Sequence, residues 1–424
     1  MFSSYQYLRK VFPFLHWSKQ YDLDKAICDL VAGITIGLTL IPQSLAYASL
    51  AGLEPQYGLY SSLCGGIIYL LFGTIPELSI APTAILSLLT YSYTKNVTFG
   101  NIEAAILLCF FGGVIELLCG LLHLGFLVDF VSTPVVAAFT SAGAITIASS
   151  QVKNLIGVHI GGGETFFEIW KKLFEHIGNF KKWDTILGLS CCALLLLMRK
   201  MKDFGAALIS TDSKEKTPTY KKIVWLTSVA RNALVVVGCA VATFVLDMHG
   251  MKPFSLTADV PSGWPNVSLP PFRIQQGNST VTLTDILVEL EAGIIFIPFI
   301  AILANIGIAK AFARGRVIDA SQEMIAIGAC NIAGSFFGSY PVNASFSRAA
   351  VGGASGVKTP LAGIYTAGMV FLAFTLLTPY FSYIPKPTLA AVIICAVIFM
   401  VEVVISKNIW IIYSRYYWKI IQHF

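Results

Sequence analysis

The 424-residue chain is 56% hydrophobic, and only 12% of its residues are charged. Soluble domains carry about 25% charged residues, so this composition excludes a soluble protein and indicates a chain that crosses a lipid bilayer many times. The formal net charge is +6, from 29 basic and 23 acidic residues. Basic loops at one membrane face account for this excess, so no nucleic acid partner is expected.

The hydrophobic residues are grouped into runs of roughly 17 to 25, the length that a helix needs to cross the bilayer. Ten such runs occur, at about 26–50, 57–75, 102–122, 130–150, 184–198, 223–246, 285–309, 322–340, 359–378 and 387–405. Two shorter apolar segments, 82–94 and 345–357, bring the predicted number of spans to about twelve. We therefore predict an all-α polytopic membrane protein.

Both ends of the chain are predicted to be cytoplasmic. Residues 1–25 are aromatic and charged and show no cleavable signal peptide, so they form a short lead before the first span. With an even number of spans, the basic and aromatic segment 406–424 lies on the same side, where it resembles an amphipathic interfacial tail. Most lysines and arginines then face the cytoplasm, as the positive-inside rule requires.

The first span contains a proline followed by a glutamine, Pro42 and Gln43. Both residues are costly when they face lipid, so we expect this helix to be broken and turned toward a cavity. A simple proline kink, with the Gln43 amide bonded to a neighbouring helix, is the alternative.

Two proline-marked segments stand at matching places in the chain. The first begins at 72–76 (Phe-Gly-Thr-Ile-Pro) and leads into 82–94, and the second begins at 337–341 (Phe-Gly-Ser-Tyr-Pro) and leads into 345–357. Such paired, interrupted segments are typical of the substrate site of a transporter, because a helix that starts inside the membrane directs free N–H groups into a cavity.

A second repeat indicates how the two halves are oriented. The triplet Ala-Gly-Ile occurs at 32–34 and at 292–294, where it opens the predicted first and eighth spans. These spans run in opposite directions across the membrane, so the repeat is predicted to be inverted. The two short half-helices are then expected to meet at mid-membrane.

Several motifs of this chain resemble those of the sulfate permease (SulP) anion transporter family. They are Pro42-Gln43, the segment 55–62, Ala81-Pro82-Thr83-Ala84, and the segments 124–130, 151–155, 231–236 and 319–323. The resemblance extends from about residue 20 to 405 and is strongest to the sodium-independent sulfate anion transporters. It implies a fold of seven spans plus seven inverted spans, in which a core domain slides against a gate domain, followed by a cytoplasmic STAS domain.

Compared with the family fold, this chain is expected to lack the last two gate spans and the STAS domain. The predicted organisation is an N-terminal lead (1–25), a first transmembrane repeat (26–246), an extracellular loop (247–283), an incomplete second repeat (284–405) and a tail (406–424). On its own such a chain is expected to show little or no coupled transport. In the alternative to transport by this chain itself, it acts only through association with a full-length relative.

The resemblance also implies which residues contact the substrate. They lie in the first span and at the start of each half-helix: Gln43, Tyr47, Ala81, Pro82, Thr83, Ala84, Ser345, Phe346, Ser347 and Arg348. Two helix N-termini and the Arg348 guanidinium together supply roughly two positive charges near mid-membrane, which an anion would balance. In the alternative interpretation, Arg348 is paired with a carboxylate or with backbone carbonyl groups.

The expected function is secondary transport of sulfate or a related small anion by alternating access, as exchange or uniport. Exchange of chloride, bicarbonate or oxalate is the alternative that the same positive site permits. No nucleophile or acid–base constellation suggests an enzyme, and no cofactor or metal is expected, because the nine cysteines lie in or beside apolar runs without metal-ligand spacing. A plasma membrane location is expected, with a lysosomal or other endomembrane as the alternative, and a homodimer is left open.

Three acceptor patterns for N-glycosylation fall outside the membrane on this topology, at Asn96, Asn266 and Asn278. A fourth match, Asn343-Ala344-Ser345, lies at membrane depth and should be unmodified. Glu116 is an unusual acid inside a span, and we expect it to be a structural partner rather than a proton-coupling site.

The predicted eighth span has Ala304 where related transporters place a glutamate that can carry a proton with the anion. We therefore expect transport that an inward proton gradient does not drive, and we expect Ala304→Glu to introduce dependence on pH. Labelled sulfate uptake, measured with and without a proton gradient, checks both statements. Proton-stimulated uptake by the unmodified protein would contradict them and direct attention to Glu116.

Overall fold

The computed structural model describes residues 12–126, 133–158, 166–209, 227, 230–257, 265–276, 279–313, 316 and 318–400. The helices are α1 Phe14–Trp17, α2 Leu23–Leu50, α3 Pro55–Phe72, α4 Ala84–Thr94, α5 Asn101–Leu121, α6 Thr133–Leu155, α7 Phe166–Glu175, α8 Lys182–Ile209, α9 Arg231–Met248, α10 Leu283–Leu290, α11 Gly293–Phe312, α12 Ala320–Ser335, α13 Phe346–Ser355, α14 Ala362–Leu372 and α15 Lys386–Val397. The strands are β1 Ile80–Ala81, β2 Ile274–Gln276, β3 Ser279–Val281 and β4 Asn343–Ala344. The predicted tail at 406–424 lies outside these residues, as does Asn278.

Among the described residues, four helices are long and apolar enough to cross a membrane, namely α2, α5, α9 and α11. Shorter apolar helices occur at Ala362–Leu376 and Lys386–Val397. The first span begins at Leu23, because the Asp22 carboxylate accepts a hydrogen bond of 2.8 Å from the Lys25 N–H and caps the helix. These features confirm the predicted all-α membrane architecture.

One group of helices forms a unit built from both halves of the chain. Helix α5 packs against α11 and α12, and helix α14 packs against α2 and α3. Each of these two helices therefore packs on the first two spans of the opposite half, which is the relation that an inverted repeat produces. We call this unit, formed by α2 to α5 and α11 to α14, the core.

A second group of helices, α6, α8, α9 and α15, forms what we call the gate. Helix α15 packs on α6 and α8, and α9 packs on α8. The gate contacts the core where α9 and α15 meet α2 and where α6 meets α4. The first half-helix, α4, thus lies at the boundary between the two units.

The link between the two repeats is a two-residue antiparallel pairing of β1 with β4. Ile80 lies opposite Ala344, and Ala81 lies opposite Asn343. Because the strands are antiparallel, α4 and α13 start from the same small sheet and run away from it in opposite directions. The predicted meeting of two half-helices is therefore present.

Three local predictions are corrected by the structure. Helix α2 continues through Pro42 instead of breaking there, because a proline removes one N–H donor and neighbouring helices can accommodate the change. No helix is predicted between the apolar runs 130–150 and 184–198, but α7 and a 3₁₀ turn at Ile177–Asn179 lie there. The two Ala-Gly-Ile triplets are not equivalent, since 32–34 lies inside α2 whereas 292–294 starts α11.

The close crossing of α5 and α12 in the core depends on glycine. A Cβ atom on Gly328 of α12 would lie 2.5 Å from the Leu117 backbone nitrogen and 2.8 Å from the Gly113 carbonyl oxygen of α5. Both atoms are backbone atoms and cannot rotate away, so the two helices would have to separate. By contrast, a Cβ atom on Gly368 of α14 would meet nothing within 4 Å.

This contrast predicts opposite effects for two similar substitutions. Gly328→Ala should destabilise the protein by about 1–3 kcal/mol through overpacking, whereas Gly368→Ala should be neutral or stabilising because alanine favours helix. Thermal unfolding of the detergent-solubilised variants, followed by size-exclusion chromatography, measures the difference. Equal melting temperatures for the two variants would contradict the close approach of α5 and α12.

Candidate anion site

The N-termini of both half-helices lack a side-chain cap. Thr83 precedes α4 and Ser345 precedes α13, and neither side chain bonds to the first turn of its helix. The Thr83 hydroxyl donates instead to the Asn343 Oδ1 atom at 2.7 Å, and the Ser345 hydroxyl lies 3.0 Å from that of Ser347. The backbone N–H groups of two first turns are thus left for another acceptor.

The predicted contact residues differ in exposure. Thr83 and Ser345 are half-buried, whereas Phe346 and Ser347 are exposed. Ala81, Pro82 and Ala84 are buried beneath them. Only the leading residues of each half-helix are therefore open to a ligand, and the residues behind them form its support.

The Arg348 side chain, 1% exposed, is held by backbone carbonyl groups. Its guanidinium donates to the carbonyl oxygens of Pro82 at 2.8 Å, Ala81 at 3.0 Å and Asn343 at 3.2 Å, and also reaches that of Ser79 at 3.3 Å. These acceptors belong to the two non-helical segments that lead into α4 (73–83) and α13 (336–345), which we call the crossing segments. Arg348 therefore ties the two repeats together directly behind the helix N-termini, and it carries its charge into that position.

Two predicted residues lie on α2, beside the half-helices. Gln43 is 3% exposed, and its Oε1 atom has no hydrogen-bond partner. Tyr47 is 5% exposed and lies within electrostatic range of Arg348. Tyr47 also belongs, with Ala81 and Ala84, to an apolar cluster that continues into the gate. The site accordingly lies where the core meets the gate.

Sequence reasoning missed the residue that positions β4. Asn331 of α12 accepts a hydrogen bond from the Val342 N–H at 2.9 Å and donates to the Glu116 carboxylate at 2.7 Å. Glu116 is thus a hydrogen-bonding partner across the α5–α12 crossing, in a position where an unpaired carboxylate would be costly. A buried asparagine within an apolar helix was the one available signal.

A second buried acid is Glu323 of α12, the last residue of the family motif at 319–323. Its carboxylate accepts hydrogen bonds from the Tyr69 hydroxyl at 2.9 Å and from the Thr74 backbone N–H at 3.1 Å. Asn305, the neighbour of Ala304 on α11, reaches the same carboxylate at 3.4 Å. Glu323 therefore joins the end of α3 and the first crossing segment to α11 and α12.

The acceptor patterns for N-glycosylation differ in exposure. Asn96 and Asn266 are exposed, whereas Asn343 is 3% exposed in β4. In the described part of the chain, no group of three or more His, Cys, Asp or Glu residues could hold a metal ion.

Residues 27–417 match the model of the sulfate permease family. The chain belongs to the sulfate permease family. The chain is 41% identical over 405 residues to a sodium-independent sulfate anion transporter of Bos taurus, and the match covers 95% of this chain and 66% of that protein. It is 34% identical over 412 residues to the chloroplastic sulfate transporter 4.1 of Arabidopsis thaliana, with 96% of this chain and 56% of that protein covered. This sulfate permease chain therefore spans less than two thirds of the length of these relatives.

Solved structures share the fold of this family member. The murine Solute Carrier 26 family member A9 anion transporter, in its inward-facing state, matches with a TM-score of 0.81 at 20% identity, covering 97% of this chain and 66% of that chain. The transmembrane domain of the cyanobacterial bicarbonate transporter BicA matches with a TM-score of 0.70 at 17% identity, covering 90% of this chain and 91% of that chain. The fold is therefore the inverted-repeat transporter fold that the sequence predicts.

The Asn331–Glu116 pair predicts the effect of replacing the acid. Glu116→Gln keeps an acceptor for the Asn331 amide and should cost little stability. Glu116→Leu removes the 2.7 Å acceptor of that buried amide, which keeps only its longer bond of 3.3 Å to the Val342 carbonyl, and should cost about 1–3 kcal/mol. Thermal unfolding in detergent measures both variants, and equal losses of stability would show that the hydrogen bond contributes nothing.

Proposed function

We propose that this protein transports sulfate or a related small anion across a membrane by alternating access, as an exchanger or uniporter. The observation that supports this most is the pair of uncapped N-termini of α4 and α13, which start from one small sheet in front of the buried Arg348. Each N-terminus carries roughly half a positive charge, so the two N-termini and Arg348 favour an anion.

The donors of the site suit an oxyanion. Backbone N–H groups, the Ser345 hydroxyl and the Gln43 amide can all donate hydrogen bonds to oxygen atoms. Direct bonds of this kind replace part of the hydration shell that the anion loses on leaving water. The carbonyl groups around Arg348 fix the guanidinium in place, so it contributes charge from behind the site without closing on the anion.

The division into core and gate suits the proposed movement. Tyr47, Ala81 and Ala84 contact the gate through an apolar cluster, and apolar surfaces can slide without leaving buried polar groups unpaired. Ala304, which cannot carry a proton, is consistent with exchange or uniport rather than with proton-coupled symport.

A second candidate function is exchange of bicarbonate, chloride or oxalate. The solved relative BicA is named a bicarbonate transporter, and the positive site described above has no feature that restricts it to a tetrahedral anion. Competition of unlabelled bicarbonate, chloride and oxalate with labelled sulfate separates the two candidates.

Several expectations belong to the same proposal. The protein is a multi-pass membrane protein, for which we propose the plasma membrane and cytoplasmic termini, with an endomembrane such as the lysosome as the alternative. Homodimers and glycans at Asn96, Asn266 and Asn278 are also proposed. The lipid bilayer and small inorganic anions are the partners that the proposal requires.

The proposal predicts that Arg348→Ala lowers sulfate uptake at least tenfold at equal surface expression. The substitution removes a positive charge and also releases the two crossing segments from one another. Arg348→Lys should restore uptake only in part, because one ammonium group cannot reach carbonyl oxygens spread over both segments.

Arg273→Gln is a suitable control for this measurement. Arg273 is exposed and lies directly before β2, away from the half-helices, so its loss should leave most uptake intact. Unchanged uptake by Arg348→Ala, at equal surface expression, would remove Arg348 from the site.

A further inference from the structure

A cavity of about 450 Å³ lies between the core and the gate, at the end of the bundle where α2 ends. Its core wall comes from the end of α2, the following loop and α4, including Ala46, Leu50, Glu54 and Tyr91. Its gate wall comes from the end of α6, the start of α15 and the segment near Thr257. We call it the vestibule.

The charged residues that line the vestibule are divided between its two walls. Lys153, in the last turn of α6, and Lys386, at the start of α15, lie on the gate wall. Glu54 lies on the core wall, where its carboxylate accepts a hydrogen bond from the Gln56 amide. A partly enclosed space with two cations on one wall concentrates anions, because the surrounding low-dielectric walls focus the field.

Neutral polar groups lie beside the lysines. Gln151 is 5% exposed and lines the vestibule together with Ser150 and Asn154. The Asn154 amide donates to the Gln151 Oε1 atom at 3.1 Å, and the Gln151 amide donates to the Ser150 hydroxyl at 3.3 Å. These bonds hold a row of amide and hydroxyl groups at the C-terminal end of α6, where an oxyanion could accept hydrogen bonds.

Hydrogen bonds hold the backbone of the gate wall in place. The Lys386 backbone N–H donates to the Ser255 carbonyl at 2.8 Å, and Ser255 in turn donates to the buried Asp184 carboxylate at 2.6 Å through its hydroxyl. The Thr257 hydroxyl donates to the Phe381 carbonyl at 2.7 Å. The base of Lys386 is therefore fixed by α8 and by the segment before α15, as the support of a binding residue needs to be.

An apolar seam separates the vestibule from the half-helix N-termini. Leu50, Leu389 and Ala390 line the vestibule and also belong to the buried cluster that contains Tyr47 and Ala84. An anion in the vestibule is thus held apart from the site by contacts between core and gate. Movement of the core against the gate would open these contacts.

From this geometry we propose that the vestibule is a second anion-binding site, which captures the substrate through Lys153 and Lys386 before it reaches the half-helices. This inference rests on the proposed transport function. It adds a difference between the two membrane faces, because only one face has the capture site. Lys153 and Lys386 act only on anions that approach from the end where α2 ends, and Glu54 on the opposite wall weakens their attraction.

Transport kinetics in membrane vesicles of defined orientation test the proposal. The double variant Lys153→Gln, Lys386→Gln should raise the KM for labelled sulfate at the vestibule face about tenfold or more. The maximal rate and the KM at the opposite face should stay unchanged, and the dependence of the rate on ionic strength should weaken. The variant Lys153→Arg, Lys386→Arg should keep the original KM, and Glu54→Gln should lower it.

The control is Lys252→Gln, compared with the single variants Lys153→Gln and Lys386→Gln. Lys252 follows α9, its side chain is 75% exposed and it pairs with Asp247, so the variant removes one positive charge, as each single variant does, without touching the vestibule. A rise of KM in this control equal to that in either single variant would show a general surface potential and overturn the proposal. A rise of KM at both faces, or a lower maximal rate with unchanged KM, would show a structural role and also overturn it.

The proposed function and this inference fail in different ways. Absence of saturable uptake of sulfate, chloride, bicarbonate and oxalate by the unmodified protein would contradict the transport function, and the capture site with it. Saturable uptake whose KM at the vestibule face is unaffected by the double substitution would contradict the capture site alone.

Discussion

The fold depends on one buried cation that is held by backbone carbonyl groups. Where α4 and α13 begin, the chain leaves regular helix within the membrane-spanning core, and its polar backbone groups need partners because lipid supplies none. The pairing of β1 with β4 satisfies some of them, and the Arg348 guanidinium satisfies the carbonyl groups of Ala81, Pro82 and Asn343. A neutral side chain would leave those carbonyls unpaired, whereas arginine satisfies several at once through its planar fork. The same contacts place a positive charge behind two helix N-termini.

This arrangement explains why the site is formed by the core alone but lies against the gate. Both crossing segments, and the residues Asn331 and Glu323 that position them, belong to the core, so the anion can move together with it. Contacts with the gate are apolar around Tyr47 and Ala84, whereas polar and cationic side chains line the vestibule. An anion would therefore meet fixed lysines on the gate, then an apolar seam, and then a site carried by the moving unit. The lysines and the half-helix N-termini supply partners on either side of the seam, where an anion without partners would be costly.

The accuracy of the sequence predictions follows the range of the interactions involved. The mainly helical membrane architecture and the proline-marked half-helices were predicted well, because hydropathy and proline act through local backbone and solvation energies. The break expected at Pro42 was wrong, because helix packing around α2 offsets the loss of one N–H donor. Helix α7 was missed because its Lys and Glu residues are typical of a polar loop. In the structure, Ile169 and Leu173 are buried on one face of this helix. Asn331 was missed because a single asparagine in an apolar helix says nothing about its partners.

By itself, the amino-acid sequence determined that this chain is an all-α membrane protein with two interrupted, inverted halves, and its motifs placed it in the sulfate permease family. It also identified the residues at the start of each half-helix, since these stand beside the prolines and polar residues that interrupt the apolar runs. Only the tertiary structure decided that Arg348 is bonded to carbonyl groups and that Lys153 and Lys386 share one cavity. The physical reason is that backbone carbonyls are the same at every residue, and that residues 153 and 386 meet only through the packing of α6 and α15.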